Sequence, residues 1–211
     1  MGRCITVIGT HRSGTSALAG VLHRLGVRMF DKQIQPDRHN PLGFWEDAEL
    51  VELNRRIVNW RRPRRGAFLP KDARAYRDLI ARRKHHGAWG VKDPRLCLLG
   101  QHWLDALDAE GVDWRLVVMT RTPWASIKSL MRRERWSVER AEAVTNEHLK
   151  HMWPLYYQHT DKSAIVCYGT LLERPRDVAR SLADIAGIEP TEEEFEHAVA
   201  LVRPELCHHG A

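Results

Sequence analysis

The chain has only four cysteines in 211 residues, and Cys4, Cys97, Cys167 and Cys207 stand far apart with no C-x-x-C pair among them. That spacing offers neither a zinc site nor a disulfide framework. The first three lie in apolar segments and read as small core residues. His208 and His209 are an isolated pair near the end and read as solvated, so no metal is expected. No apolar run approaches the ~20 residues of a membrane-crossing helix, and no signal peptide is legible. Stable membrane insertion is therefore not expected, and a reducing cytoplasm is the expected location. Internal repeats and low-complexity segments are also missing.

What is present is ordinary globular material. Hydrophobic residues make up 43% and charged residues 28% of the chain, enough for one domain spanning residues 1–211 with a real core. The net charge is +6, with 33 Lys and Arg, so acidic ligands are natural partners. Charge alone does not choose among a phosphate, a nucleic acid and an anionic surface.

The stretch Ile5 to Leu25 organises the rest. Ile5-Thr6-Val7-Ile8 is a short β-branched run that reads as a buried strand. Gly9 to Ser16, GTHRSGTS, reads as a loop, and Ala17 to Leu25 as a helix that Gly26 ends. A strand, a Gly-framed loop and a helix N-terminus aim backbone N–H groups and a helix dipole at one spot, which suits a phosphate. Gly9 and Gly14 have the spacing of G-x-x-x-x-G-K-[ST], but Thr15 stands where that motif has its lysine, and Ser16 fills the last position. The cation inside the loop is Arg12, with His11 beside it. This composition points to a phosphate other than the β/γ pair of a Mg-nucleotide; an ordinary Gly-rich turn is the alternative.

Downstream, Asp31 to Asn40 reads as a loop, and Phe44-Trp45-Glu46-Asp47 leads into a helix from Ala48 to about Trp60, with Asp47 as its N-cap. Glu46, beside two aromatics, is a candidate general base, and a capping or surface acid is the plainer alternative. Arg55 to Arg65 is the most basic run, with six Arg around Trp60. It suits nucleic acid or an acidic glycan; a solvated helix end is the plainer reading, and a nucleic-acid partner is not expected. Tyr76 to Lys84 reads as a polar helix, and about 60–87 as a helical insertion.

Ala88 to Val91 reads as a strand with Lys92, Asp93 and Arg95 at its carboxyl end, where open α/β sheets meet ligands. A helix Leu96 to Ala109 and a strand Trp114 to Thr120 follow. Arg121 ends that strand, and Thr122-Pro123 opens a helix on which Ser126 and Ser129 share one face. Arg121 and Ser129 are thus candidates for a second phosphate; a strand-end ion pair and a serine bonded to its own backbone are the alternatives. A long helix from Val138 to about His159, a strand Ser163 to Tyr168, a helix from Pro175 through Ala186 and a last helix from Thr191 to about Val202 complete the chain. The alternation predicts an α/β three-layer sandwich with a mostly parallel sheet, of the P-loop NTPase kind.

These residues resemble sulfotransferases that use 3′-phosphoadenosine 5′-phosphosulfate (PAPS). That family has a 5′-phosphosulfate loop [KR]-S-G-T-[ST], matched by Arg12 to Ser16, and a strand-end Arg with a Ser eight residues on, matched by Arg121 and Ser129. Its Lys-Asp-Pro is matched by Lys92 to Pro94, and its Asn-Pro-x-Gly-[YF]-Trp-Glu stretch by Asn40 to Glu46. A late Tyr-x-x-Leu-x-x-x-Pro is answered by Tyr168, Leu171 or Leu172, and Pro175. Two departures stand out: Gly169-Thr170 follows Tyr168 where an acid is usual, and the chain is short for the family. The resemblance implies sulfuryl transfer from PAPS to a hydroxyl, or less readily an amine, of a small-molecule or glycan acceptor. His11 to Ser16, Arg121 and Ser129 would hold PAPS, and Arg12, Glu46 and Lys92 would act in catalysis, with His11 and Asp93 as rivals for the base. A P-loop kinase of small molecules and a basic nucleic-acid-binding module are the other readings. The oligomeric state is left open.

Overall fold

A computed structural model describes residues 2–36, 43–58 and 68–203. Asn40, Pro41 and Leu42, the greater part of the Arg55 to Arg65 run, and Cys207 to His209 lie outside the described residues. A four-stranded parallel sheet, in the order β2-β1-β3-β4, is formed by β1 (Cys4–Gly9), β2 (Trp89–Lys92), β3 (Trp114–Thr120) and β4 (Ser163–Cys167). Strand β1 is central and buried on both faces, which explains its largely apolar run. Cys4 and Ile8 join one core, and Ile5 and Val7 join the other. Thr6 is the polar exception, and the Trp103 indole N–H donates to its hydroxyl at 3.0 Å.

Two helical layers cover the sheet. On the Cys4/Ile8 face lie α2 (Ala48–Ile57), α3 (Pro70–Arg83), α4 (Leu96–Ala109) and α6 (Val138–Gln158), around Trp89, Trp103 and Trp114. On the other face lie α1 (Thr15–Arg24), α7 (Tyr168–Glu173), α8 (Pro175–Ala186) and α9 (Glu192–Ala200). Helix α5 (Pro123–Glu134) packs on α6 through a small cluster of Ile127, Leu130 and Ala141.

Several boundaries differ from the sequence reading. Helix α1 begins at Thr15, because Gly14 at φ 100° turns the chain directly into it. Helix α3 begins at Pro70, six residues early, because Asp72 accepts the Leu69 N–H at 3.0 Å and secures a first turn with no apolar periodicity. Tyr76, Leu79 and Ile80 of this helix are fully buried. Tyr168 opens α7 rather than ending β4. Cys167 is exposed, not a core residue: β4 is an edge strand, and alternation sends Val166 inward while Ile165 and Cys167 face out. Among the described residues no helix is long and apolar enough to cross a membrane.

Asp47 ties three segments together. Its Oδ1 accepts the Glu49 and Leu50 N–H groups at 3.0 and 3.2 Å, and its Oδ2 accepts those of Asp31 and Lys32. Arg83 of α3 pairs with it at 2.7 Å. Burial works against its ionisation, but the Arg83 charge and these hydrogen bonds outweigh burial and hold its pKa below the usual 3.8. The contribution of this carboxylate is therefore complete above that value and lost as pH falls through the lower folded value. Asp47→Ala should cost about 3 kcal/mol at neutral pH. Denaturant titrations should also show less loss of stability in acid for the variant than for the parent; parallel pH curves would exclude Asp47 as a source of the acid sensitivity.

Candidate active site

All four strands end on the same side of the sheet, and each is followed at once by polar chemistry: His11 to Ser16 after β1, Asp93 and Arg95 after β2, Arg121 after β3, and Tyr168 after β4. There a cavity of about 340 Å³ is lined by His11, Arg12, Gly14, Thr15, Ser16, Glu46, Lys92, Arg95, Arg121, Ser129 and Tyr168, among others.

The loop after β1 is a built cradle. The Thr10 carbonyl accepts both the Ser13 N–H, at 3.2 Å, and the Ser13 hydroxyl, at 2.8 Å. Ser13 is fully buried and its N–H is committed inside the loop, so it shapes the cradle rather than facing a ligand. Arg12 at φ 66° and Gly14 at φ 100° are both left-handed. At Gly14 a Cβ would come within 2.3 Å of the Tyr168 ring, so both the backbone and the neighbour require glycine. The N–H groups of Thr15 and Ser16 open α1 and have no helical carbonyl to meet.

The residues read from the sequence as two candidate anion sites form one continuous surface. Arg12 Nε donates to Ser129 Oγ at 2.9 Å. Arg121 Nη1 donates to the Arg12 carbonyl at 3.3 Å, and its guanidinium lies 4.7 Å from the centre of the Tyr168 ring. Burial, and then the charges of Arg133 and Arg121, lower the Arg12 pKa. A guanidinium does not give up its proton at neutral pH, so this crowding of cations is repulsion that a bound anion relieves.

Glu46 and Lys92 form a buried ion pair, and Lys92 also donates to Ser16 Oγ at 3.2 Å. Glu46 is carried by a strained loop in which Gly43 has φ 98° and Trp45 has φ 55°. The loop is pinned by the Ile34 N–H donating to the Glu46 carbonyl at 3.1 Å and the Ala48 N–H donating to the Lys32 carbonyl at 2.8 Å. Asp93 is fully buried and committed: Oδ2 accepts from Asn54 Nδ2 at 2.9 Å, and Oδ1 pairs with Arg95 at 2.9 Å. The Tyr76 hydroxyl donates to Asn54 Oδ1 and extends this chain into α3.

His11 meets the ring of His148 edge-on at 4.9 Å. Burial, and then the charges of His148, Arg95, Lys92 and Arg133, push its pKa down to about 3. His148 Nδ1 lies 2.7 Å from the Val144 carbonyl and donates to it.

Sequence reading missed His148, for which an isolated helical histidine gives no signal. It also missed Phe44 as part of the cavity wall and the ion pair of Arg133 with Glu134 at 3.3 Å. Arg133 reads in sequence as one of several basic residues at a helix end, and only the packing of α5 turns it into the cavity.

No family model matches the chain, and no curated protein matches it in sequence. Solved structures do. A sulfotransferase domain from an olefin synthase of Synechococcus PCC 7002 superposes with a TM-score of 0.61 at 19% identity, over 99% of this chain and 83% of that one. A sulfotransferase from Mycobacterium avium gives 0.57 at 16% identity, over 93% and 67%. Retinol dehydratase, in complex with androsterone and the inactive cofactor PAP, gives 0.52 at 16% identity, over 96% and 64%. The fold is that of these sulfotransferases.

His11 should stay neutral across the physiological range. Between the folded value near 3 and the ordinary 6.5, the unfolded chain binds a proton here that the folded chain does not, so stability falls as pH drops through that window. In an NMR titration from about pH 8 to about pH 5, the His11 ring signals should hardly move. A midpoint near 6.5 would remove the burial assigned to this ring.

Proposed function

We propose that the protein transfers a sulfuryl group from PAPS to a hydroxyl of a small-molecule or glycan acceptor, with PAP as the second product. The observation that carries this reading is the junction of the two anion sites, where Arg12 bonds to Ser129 and Arg121 bonds to Arg12. PAPS carries a 5′-phosphosulfate and a 3′-phosphate on one nucleoside, so it calls for two linked anion sites of unequal construction. Retinol dehydratase, which shares the fold, has been solved with PAP bound.

In this reading Arg12 and the N–H groups of Gly14, Thr15 and Ser16 hold the 5′-phosphate and stabilise the charge that builds on its bridging oxygen. Arg121 and Ser129 hold the 3′-phosphate. The acceptor O–H gives its proton to Glu46 as its oxygen bonds to sulfur; the bond from sulfur to the bridging oxygen breaks, and PAP leaves with that electron pair. Lys92 belongs to both halves of the reaction. It touches the loop through Ser16 and the base through Glu46, so sulfuryl oxygens drawn to Lys92 weaken its hold on Glu46 and free the carboxylate to accept a proton. Positioning and charge stabilisation supply the catalysis, as in phosphoryl transfer. A Mg-nucleotide kinase on the same fold would call on Asp93, whose two oxygens are already given to Asn54 and Arg95.

Calorimetric titration should find that PAP binds without Mg²⁺ and is preferred over ADP, ATP and GTP; preference for Mg-ATP with PAP ignored would end this reading. With PAPS and an accepted acceptor, Arg12→Ala should lower kcat by about a hundredfold or more with the fold retained. Glu46→Gln should bind PAP like the parent yet turn over at least about a hundredfold more slowly. Equal turnover would take the base role from Glu46.

A further inference from the structure

His11 stands in the loop proposed to hold the 5′-phosphate, yet it takes no part in the proposed transfer. Its ring lies edge-on to that of His148 on α6, with centroids 4.9 Å apart. His148 is 5% exposed, and its Nδ1 lies 2.7 Å from the Val144 carbonyl. A carbonyl only accepts, so Nδ1 carries the proton and the neutral ring keeps a lone pair on Nε2. That Nε2 is buried and has no hydrogen-bond partner among the described residues. A buried acceptor left unmatched is costly and calls for a donor close by. The ring against it is His11, which has two nitrogens. With one turned to His148, the other is left for the cavity that His11 lines. In the chain alone His11 holds a single proton, because burial and the charges of His148, Arg95, Lys92 and Arg133 keep its pKa near 3. Given to His148, that proton leaves a bare lone pair toward the cavity, and a lone pair repels an anion. A second proton turns the same nitrogen into a donor.

Resting on the sulfuryl-transfer reading for the identity of the anion, we infer that anion binding and the charging of His11 are one event. As the 5′-phosphate of PAPS or PAP enters the loop, His11 takes a proton from water, donates one ring N–H to a phosphate oxygen and donates the other to His148 Nε2. His148 is the positioning residue of the pair. The charges around the two rings come from every side. Lys92 and Arg95 follow β2, Arg133 is on α5, and Arg12 is beside His11 in the loop. Asp93 and Glu147 favour a charge on His148, and Arg95 opposes it. Glu46 pairs with Lys92, and Glu134 with Arg133. A phosphate at hydrogen-bond distance favours the charged imidazole, the reverse of what the cations do in its absence. The part of the PAP affinity that His11 supplies therefore grows as pH falls below the pKa of the liganded ring, and it is absent above that value.

The test is long-range nitrogen–proton NMR on the full chain labelled in its histidines, with the His11 signals identified by their loss in His11→Gln. A neutral ring shows one protonated and one bare nitrogen, and an imidazolium shows both protonated. At about pH 6.5 the chain alone should show the neutral ring, and saturation with PAP should show the imidazolium. A neutral His11 in the PAP-loaded chain overturns the inference while leaving PAP binding intact. His148→Leu, which removes the acceptor, should leave His11 neutral with PAP bound and weaken PAP binding by about tenfold at that pH. His148→Gln, whose amide oxygen can take the same N–H, should restore the greater part of both. An imidazolium that persists in a folded His148→Leu chain takes the positioning role from His148. Should PAP fail to bind, the sulfuryl-transfer reading falls, and inorganic pyrophosphate in the same spectra decides the coupling by itself: a charged His11 supports it, and a neutral one overturns it.

Discussion

The buried pair of Lys92 and Glu46 is the contact on which the site depends. Neither residue is stable there alone, because taking an ammonium or a carboxylate out of water costs several kcal/mol. Each is delivered from a different part of the fold: Lys92 from the carboxyl end of β2, Glu46 from the loop before α2. The pair therefore locks the loop to the sheet. It also places a carboxylate, a cation and the Ser16 hydroxyl of α1 within one hydrogen-bonded group, since Lys92 reaches Ser16 as well. A pair that exists only to fill space could be replaced by apolar residues with little loss. One that joins a strand end to a loop and faces a cavity serves better as a switch in the proposed reaction, because an incoming anion competes for the lysine.

The loop after β1 rests on a second constraint, which is steric. The loop must pass close beneath the Tyr168 ring, and a residue with a Cβ at Gly14 cannot do so. Gly9 is under the same restriction from the Met119 carbonyl at 2.7 Å. Strand ends β1, β3 and β4 thus converge so tightly that Arg12, Arg121 and Tyr168 touch each other before any ligand arrives. In the proposed reaction, preorganised donors of this sort do not have to be gathered, which is where electrostatic stabilisation gains its advantage.

Much of this was legible in the sequence, for physical reasons that apply residue by residue. Ile5 to Ile8, with Thr6 as its one polar member, and Leu116 to Met119 are largely apolar runs because they are buried on both faces, and such runs are hard to misread. Gly9, Lys92 and Arg121 were legible as site candidates because they sit at strand ends, a position that periodicity locates well, and Gly14 through its spacing from Gly9. What escaped has the opposite character. Cys167 looks apolar, but its face of an edge strand is left uncovered, and coverage is a tertiary property. The first turn of α3 depends on one Asp72 hydrogen bond. His148 and Glu134 matter through partners 137 and one residue away, His11 and Arg133. For His148 no local pattern carries that information, and for Glu134 the adjacent charge has many other uses on a helix surface.

Helix α3, in the segment that reads as an insertion, supports the Glu46 loop and the Asp93–Arg95 turn. Trp45 adopts a left-handed backbone, a conformation that costs an aromatic residue about 1–2 kcal/mol. The cost is offset only if the loop is held from several sides. Its ring packs against His23, at 5.1 Å, and Phe30, at 6.3 Å, which stack on each other at 4.9 Å. The following residue, Asp47, is bound by Arg83 from α3 and by the backbone of Asp31 and Lys32. Tyr76 of the same helix supports Asn54, which holds Asp93, which in turn orients Arg95. Helix α3 thus reaches both walls of the cavity, the Glu46 loop and the Asp93–Arg95 turn, through buried polar contacts. A helix added only to fill the gap between α2 and β2 would meet the core through apolar side chains alone. The placement of Arg83 and Tyr76 fits a helix that fixes the distance between the Glu46 carboxylate and the cations around it.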